Sequence, residues 1–419
     1  MNVIGDRECV GAEEDQGVGM REGWQIRKLG DVCSLLNRGV SPAYLEKGGV
    51  CVLNQKCIRN HEVSYEPARR HDDAAKKVAE ERFIQRGDVL VNSTGTGTLG
   101  RVAQVRNEPE EATTVDSHVT IVRAKPDLFH LEFFGYMLVV IEEAIKEAGD
   151  GCGGQTELAR SVLAERFSVS YPESLAEQQR IVALLDEAFA GLATAKANAE
   201  QNLQNARALF ESHLQAVFGK SDSVVLLSDL ADEVTDGDHS PPPKAPFGIP
   251  FITISDIDKR ASTIDFTDTF SVPEEYFNGL KSSKKPRIGD ILYTVTGATL
   301  GIPVLVREQR DFCFQRHIGL IRPKSDVDSC WLAYALRSPQ VFRQASIGST
   351  GAAQKTVSLG VLRNLLLPKI SLREQRQIAT SLDCLHAETQ HLTHLYERKL
   401  AALEELKKSL LHQAFNGEL

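Results

Sequence analysis

The segment Leu175-Ala-Glu-Gln-Gln-Arg-Ile-Val returns about 200 residues later as Leu372-Arg-Glu-Gln-Arg-Gln-Ile-Ala. This duplication constrains the fold more than any other feature, because whatever the first copy builds has to be built again. Pro172 precedes one copy and Pro368 the other, so the chain arrives extended and then enters a long run without proline. Both runs close on a glycine suited to a helix C-terminus, in Ala216-Val-Phe-Gly219 and Ala414-Phe-Asn-Gly417. Each copy therefore predicts one long helix.

The repeat extends backward into the segments before each helix. Gly87-Asp88-Val-Leu-Val-Asn-Ser-Thr matches Gly289-Asp290-Ile-Leu-Tyr-Thr-Val-Thr, and His118-Val-Thr-Ile-Val-Arg123 matches His317-Ile-Gly-Leu-Ile-Arg322. Gly-Asp ahead of an alternating β-branched run is a turn feeding a strand, so each unit is β-rich at its centre. Helical spacing follows over Leu131 to Ala148 and Trp331 to Ala345, with loops at Gly153-Gly-Gln155 and Ala352-Ala-Gln354. Residues 38–82 and 238–287 share almost nothing, which suggests two modules on one frame that act on different targets. The expected layout is a disordered tail over 1–23, a globular module over 24–172, a helix over 173–219, a second module over 220–370 and a second helix over 371–419.

In the second helix Ile378, Leu382, Leu385, Thr389, Leu392, Tyr396, Lys399, Leu403, Leu406 and Leu410 alternate spacings of three and four, the pattern of a coiled-coil seam. In the first, the stripe Leu184, Ala188, Leu192, Ala195, Ala199, Leu203, Ala206, Phe210, Leu214, Val217 drifts toward an eleven-residue period. Because a whole module separates the helices, they can pair antiparallel. At about 45 residues each they make a spacer of about 65 Å, against about 34 Å for a turn of DNA. The fold class is thus α+β: two β-rich modules joined by two long antiparallel helices.

Several function classes fall away on composition and context. The 419 residues, 42% apolar and 25% charged, can bury a core. No apolar run reaches the roughly 20 residues of a membrane span, which points to the cytoplasm. The eight cysteines include no C-x-x-C pair, so neither a zinc site nor a disulfide framework is expected. A net charge of −9 disfavours unaided capture of nucleic acid, although local charge matters more than the total. Gly95-Thr-Gly-Thr-Leu-Gly100 spells a dinucleotide fingerprint, but Arg101-Val-Ala-Gln-Val predicts a strand where a phosphate-binding helix is needed. His118 and His317 recur without a partner at ligand or triad spacing, and read as structural. No catalytic constellation repeats between the modules.

The basic and polar side chains of the divergent inserts remain. Lys56, Arg59, Arg69, Arg70, Lys76 and Lys77 in the first module, with Lys244, Lys259, Lys281, Lys284, Lys285 and Arg287 in the second, are candidates for phosphate contacts. Tyr44, Asn54, Gln55, Asn278 and Gln315 are candidates for reading base edges. Singly each is an ordinary surface residue; as a set they favour DNA.

With these residues in view, the chain from Trp24 onward resembles a specificity subunit of a type I restriction–modification enzyme. The resemblance rests on the twin Leu-x-Glu-Gln helix starts after Tyr171-Pro172 and Leu367-Pro368, the twin Gly-Asp strands, Asp236-Gly-Asp-His-Ser-Pro241 and the terminal His412-Gln-Ala-Phe-Asn-Gly417. It implies two target-recognition domains that each read half of a split double-stranded DNA target, and adds Asp238 and His239 to the DNA candidates. It implies helices that dock two methylation subunits, with Glu177, Gln178, Arg180, Glu374, Gln375 and Arg376 as contacts, and restriction subunits through them. It implies no catalysis by the chain itself, S-adenosylmethionine, ATP and Mg2+ being used by the partner subunits. The first module departs from the pattern with Leu36-Asn-Arg-Gly-Val-Ser-Pro42, so the two recognition loops need not share a contact scheme. The alternative is a non-catalytic coiled-coil adaptor that bridges proteins.

Overall fold

The computed structural model describes residues 22–148, 157–219, 223–259, 261–351 and 355–419. Residues 1–21 of the tail expected over 1–23, and the loops Gly153–Gln155 and Ala352–Gln354, lie outside the described residues. The chain forms two compact units, one running to Ala197 and including Ala401–Leu419, the other Asn198–Leu400.

In the first unit the Gly-Asp turn feeds Val89–Asn92, which lies in an antiparallel sheet ordered Cys33–Arg38, Val119–Ala124, Val89–Asn92, Val102–Gln104. The insert adds a second sheet, in which Thr113–Val115 pairs parallel to Val50–Leu53, followed by Arg69–His71 and Tyr44–Leu45. It also adds a small hairpin, Ile58–Arg59 with Glu62–Val63, whose turn holds Asn60 and His61 at φ of 54° and 63°. Trp24–Lys28 and Ser168–Pro172 close the module as an antiparallel pair.

The second unit repeats this order with Ala231–Asp236, Ile318–Pro323, Ile291–Thr294 and Pro303–Leu305. Its insert sheet has Cys313–Phe314 parallel to Ile249–Ile252, then Ser271–Val272, and its hairpin is Ile257–Asp258 with Thr263–Ile264. Inserts that share almost no sequence therefore share a topology. The second differs in the helix Glu274–Gly279 and in a single bridge from Ala245 to Ser271 where the first has the strand Tyr44–Leu45.

The long helices are Leu175–Phe218 and Leu372–Phe415, 44 residues each. Within the first unit they run antiparallel: Arg180 donates to the Leu419 carbonyl at 2.8 Å, and Lys196 pairs with Glu404 at 2.5 Å. Within the second, Arg207 meets Glu397 at 2.9 Å and the Phe210 ring lies 4.6 Å from that of His386, again antiparallel. The first core takes Ile181, Leu185, Leu411 and Phe415 from the helices, with Phe415 4.9 Å from Phe133; the second takes Phe210, Leu214 and Leu382.

The expected seam needs correction at three positions. Leu184 is 41% exposed while Leu185 is buried, and in the second helix Lys399 and Leu406 face solvent while Leu400 and Lys407 turn inward. The cause is the mismatch between a heptad and 3.6 residues per turn, which rotates a strict seam by about 20° per heptad. After Tyr396 the buried stripe steps by four instead of three, and Thr389, Leu400 and Leu411 follow the eleven-residue rhythm read in the first helix.

Candidate nucleic-acid interface

The same side chains brace each module internally and tie it to its long helix. Arg123, at the end of its strand, donates from Nε and a terminal nitrogen to the two oxygens of Asp88 at 2.7 and 2.8 Å, and reaches the Phe83 carbonyl at 2.8 Å. Arg322 does the same to Asp290 at 3.0 and 2.7 Å and to the Lys285 carbonyl at 3.2 Å. Tyr136 donates to Asp186 on the first helix, and Tyr334 to Asp383 on the second at 2.6 Å. These pairs fix the frame from which the inserts project.

The repeated Leu-x-Glu-Gln turn serves the same purpose. Gln178 is fully buried; its carbonyl accepts the His130 amide at 2.8 Å and its NH2 donates to the Pro172 and Leu128 carbonyls at 2.9 and 3.2 Å. Gln375, 3% exposed, accepts the Asp328 amide at 2.8 Å and donates to the Ile370 carbonyl at 3.2 Å. This corrects the expectation that these two glutamines face partners: their polar atoms are spent inside the modules. Glu374 accepts from the Ser371 amide and hydroxyl at 2.9 and 2.7 Å, as in a capping box. Glu177 pairs with Arg180 at 2.8 Å, and Arg180 and Arg376 are exposed on the helix surface.

Two loops meet in each module. In the first, Val40 bridges Asp116, and Gly39 lies so close to the Val115 carbonyl that a Cβ would sit 1.8 Å from its oxygen, which only glycine allows. In the second, Asp238 bridges Gln315, and Gly237 repeats the close approach with 2.1 Å to the Phe314 oxygen. The polar side chains at this junction differ. In the first module Lys76 donates to the Ser41 carbonyl at 2.9 Å, and His118 contacts the Thr94 hydroxyl at 2.8 Å. In the second, Lys284 donates to the Gly237 carbonyl at 2.6 Å and Tyr276 to Asp238, while His239 contacts Asp236 at 2.7 Å. Burial alone would raise the Asp238 carboxyl, but the Tyr276 hydroxyl, the Ser240 and His239 amides and the Lys284 ammonium outweigh it and hold the group below the usual carboxylate range.

The remaining candidates divide by how free they are. Tyr44, 52% exposed, carries the Arg69 guanidinium 4.8 Å above its ring. Arg70 is paired to Glu111 at 2.6 Å. Lys56, Arg59 and Lys77 are exposed, as are Lys244, Lys259, Lys281, Arg287 and Asn278. Lys244 lies 5.0 Å from the Phe270 ring, and Lys285 both stacks on Phe277 at 4.8 Å and donates to the Asn278 carbonyl at 3.1 Å. Asn54 accepts the Lys56 amide at 2.9 Å and donates to the Pro67 carbonyl at 2.8 Å, and Gln55 donates to the Thr94 hydroxyl at 2.7 Å. Both of these amides brace the insert.

Arg316 is an exposed cation that sequence reading passed over; it lies beside Gln315 with its amide donating to the Asp238 carbonyl at 3.1 Å. Its signal was the turn between matched strands, where His118 is the only feature the two modules visibly share. The Gly95–Gly100 segment joins the antiparallel strands Val89–Asn92 and Val102–Gln104, with Gly95, Gly97 and Gly100 at φ of 104°, 75° and 80°. It is a hairpin turn, not a helix-opening phosphate loop.

Comparison with known proteins agrees with this architecture. Residues 21–204 match the family described as type I restriction modification DNA specificity domain. The type I restriction enzyme EcoBI specificity subunit of Escherichia coli is 30% identical over 173 residues, 41% of this chain and 36% of that protein. The match thus spans little more than a third of that relative's length. A chain from a structure on complex assembly and conformational transition of the type I R-M system superposes with a TM-score of 0.78 at 19% identity, covering 96% of this chain and all (100%) of that one. The HsdS subunit from Thermoanaerobacter tengcongensis gives 0.63 at 20% identity, covering 96% and 99%. At these identities the likeness to solved structures concerns the fold.

Proposed function

We infer that this chain, a member of the type I restriction–modification DNA-specificity family, reads a split double-stranded DNA target with its two modules. The observation that carries this reading is the twin loop junction: one frame, with Gly39 and Gly237 forced by the same close approach, presents different polar side chains in each copy. That is what two readers of different half-sites require. Exposed Lys56, Arg59, Arg69, Lys77, Lys281 and Arg287 supply sequence-independent phosphate attraction. Tyr44, His239, Gln315 and Arg316 read base edges.

The exposed faces of the long helices, including Arg180 and Arg376, dock two methylation subunits, and restriction subunits join through these. The chain itself performs no chemistry; S-adenosylmethionine, ATP and Mg2+ belong to the partners. The deciding experiment sequences methylated bases in DNA from cells expressing the chain with its methylation subunit. A split motif with a fixed gap that disappears when the chain is deleted supports the reading. Absence of new methylation, with the same methylation subunit active beside another specificity chain, points to the protein-bridging adaptor.

A further inference from the structure

The fold makes one groove twice, between the small hairpin of the insert and the chain leaving the last strand of the central sheet, Val102–Gln104 in one unit and Pro303–Leu305 in the other. In the first unit this groove, about 590 Å3, is lined by Glu62, Glu108, Glu110 and Glu111 beside Tyr65 and Arg106. In the second unit the corresponding space, about 400 Å3, is also bounded by the helix Ser329–Arg337 and by His386, and Arg307, Arg310 and Arg337 line it with Glu308 as the one carboxylate among the described lining residues. The same place in the fold has changed sign.

Two of these three arginines are under-used. Arg310 lies 4.3 Å over the Phe266 ring and makes no ion pair among the described residues. Arg307 comes no closer than 3.8 Å to Asp383, whose carboxylate already accepts the Tyr334 hydroxyl at 2.6 Å. Arg337 is engaged by Glu211 at 3.0 Å. Beneath them the floor is apolar, with Val304, Val306 and Phe312 buried. A guanidinium stacked on a ring keeps its N–H edge free for a bidentate anion and extends a flat stack for a second ring. The volume lies within the usual range of small-molecule sites.

We propose that this cavity binds a small flat organic anion, an aromatic body bearing a carboxylate, sulfonate or phosphate. The ring lies against the Phe266–Arg310 pair and the anionic group is held by Arg307 and Arg310. This inference does not depend on the DNA reading. It is tested by fluorescence titration of the full chain with 8-anilinonaphthalene-1-sulfonate, with uncharged N-phenyl-1-naphthylamine as the matched probe. The expected result is one sulfonate probe per chain, since the acidic groove of the first unit repels it. Binding weakens at least about tenfold in the Arg307→Ala/Arg310→Ala double variant and is lost in Ala333→Trp, which fills the cavity. The uncharged probe binds more weakly and is indifferent to the arginines. Because Ala333→Trp can disturb folding, Arg310→Lys serves as the second variant: it keeps the charge, loses the flat guanidinium and its bidentate N–H edge, and falls between parent and double variant. Two probes per chain, or affinity unchanged within about twofold in the double variant, overturns the proposal.

Discussion

Arg123 grips both oxygens of Asp88, at 2.7 and 2.8 Å, although the aspartate side chain is fully buried. The second unit reproduces the pair as Arg322 with Asp290. Removing one member strands a buried charge, so Arg123→Ala is expected to lower stability by about 3 kcal/mol. Urea unfolding of the full chain measures the loss. In a double-mutant cycle the Arg123→Met/Asp88→Leu variant should lose less than the two single changes added together.

The two buried glutamines make a local prediction. Gln178→Ala leaves the His130 amide and the Pro172 carbonyl without partners, at a cost of about 1–3 kcal/mol. Hydrogen exchange should show the His130 amide losing protection in that variant while Asp328 keeps it, and the reverse in Gln375→Ala. Equal loss at both amides in either variant contradicts the separate clamps.

Neighbouring leucines on the first long helix should respond oppositely to truncation. Leu185 is 1% exposed and Leu184 is 41% exposed. Leu185→Ala is expected to cost about 2–4 kcal/mol and Leu184→Ala no more than about 0.5 kcal/mol. On the second helix the same contrast separates Leu411, 7% exposed, from Leu406 at 47%. Thermal melts of the four variants decide whether the eleven-residue stripe or the strict heptad describes the seam.

Glu142 supplies a pH dependence. It accepts the Val102 amide at 2.9 Å and pairs with Lys146 at 2.6 Å and His61 at 3.2 Å. Burial opposes its ionisation, but His61, Lys146 and the amide outweigh burial and lower its pKa. A lowered carboxyl pKa contributes stability above the ordinary glutamate range of about 4.3, and that contribution is lost as pH falls through the folded value. Glu142→Gln should therefore be less stable than the parent at pH 7 and converge with it on acidification, followed by urea unfolding at both pH values. In the second unit the matching strand begins at Pro303, which has no amide to cap.

The duplicated strands, the long helices and the α+β class were legible in the sequence because turn glycines, β-branched runs and helical periodicity are local signals. The shared topology of the inserts was not. Tyr44–Leu45, Arg69–His71 and Ser271–Val272 are strands of two or three residues, held by partners far along the chain and too short to show a period. Nor did composition distinguish Asn54 and Gln55, whose amides are used internally, from exposed Lys56 beside them.

By itself the sequence determined that one unit is built twice, that a long helix follows each copy, and that the copies differ where side chains would meet a target. Repetition and periodicity are written residue by residue, so they need no third dimension. Only the tertiary structure decided that Gln178 and Gln375 are clamps, that Gly39 and Gly237 mark equivalent junctions, and that matching grooves carry opposite charge. Those outcomes depend on which distant groups meet and how much water is excluded there, and packing alone settles both.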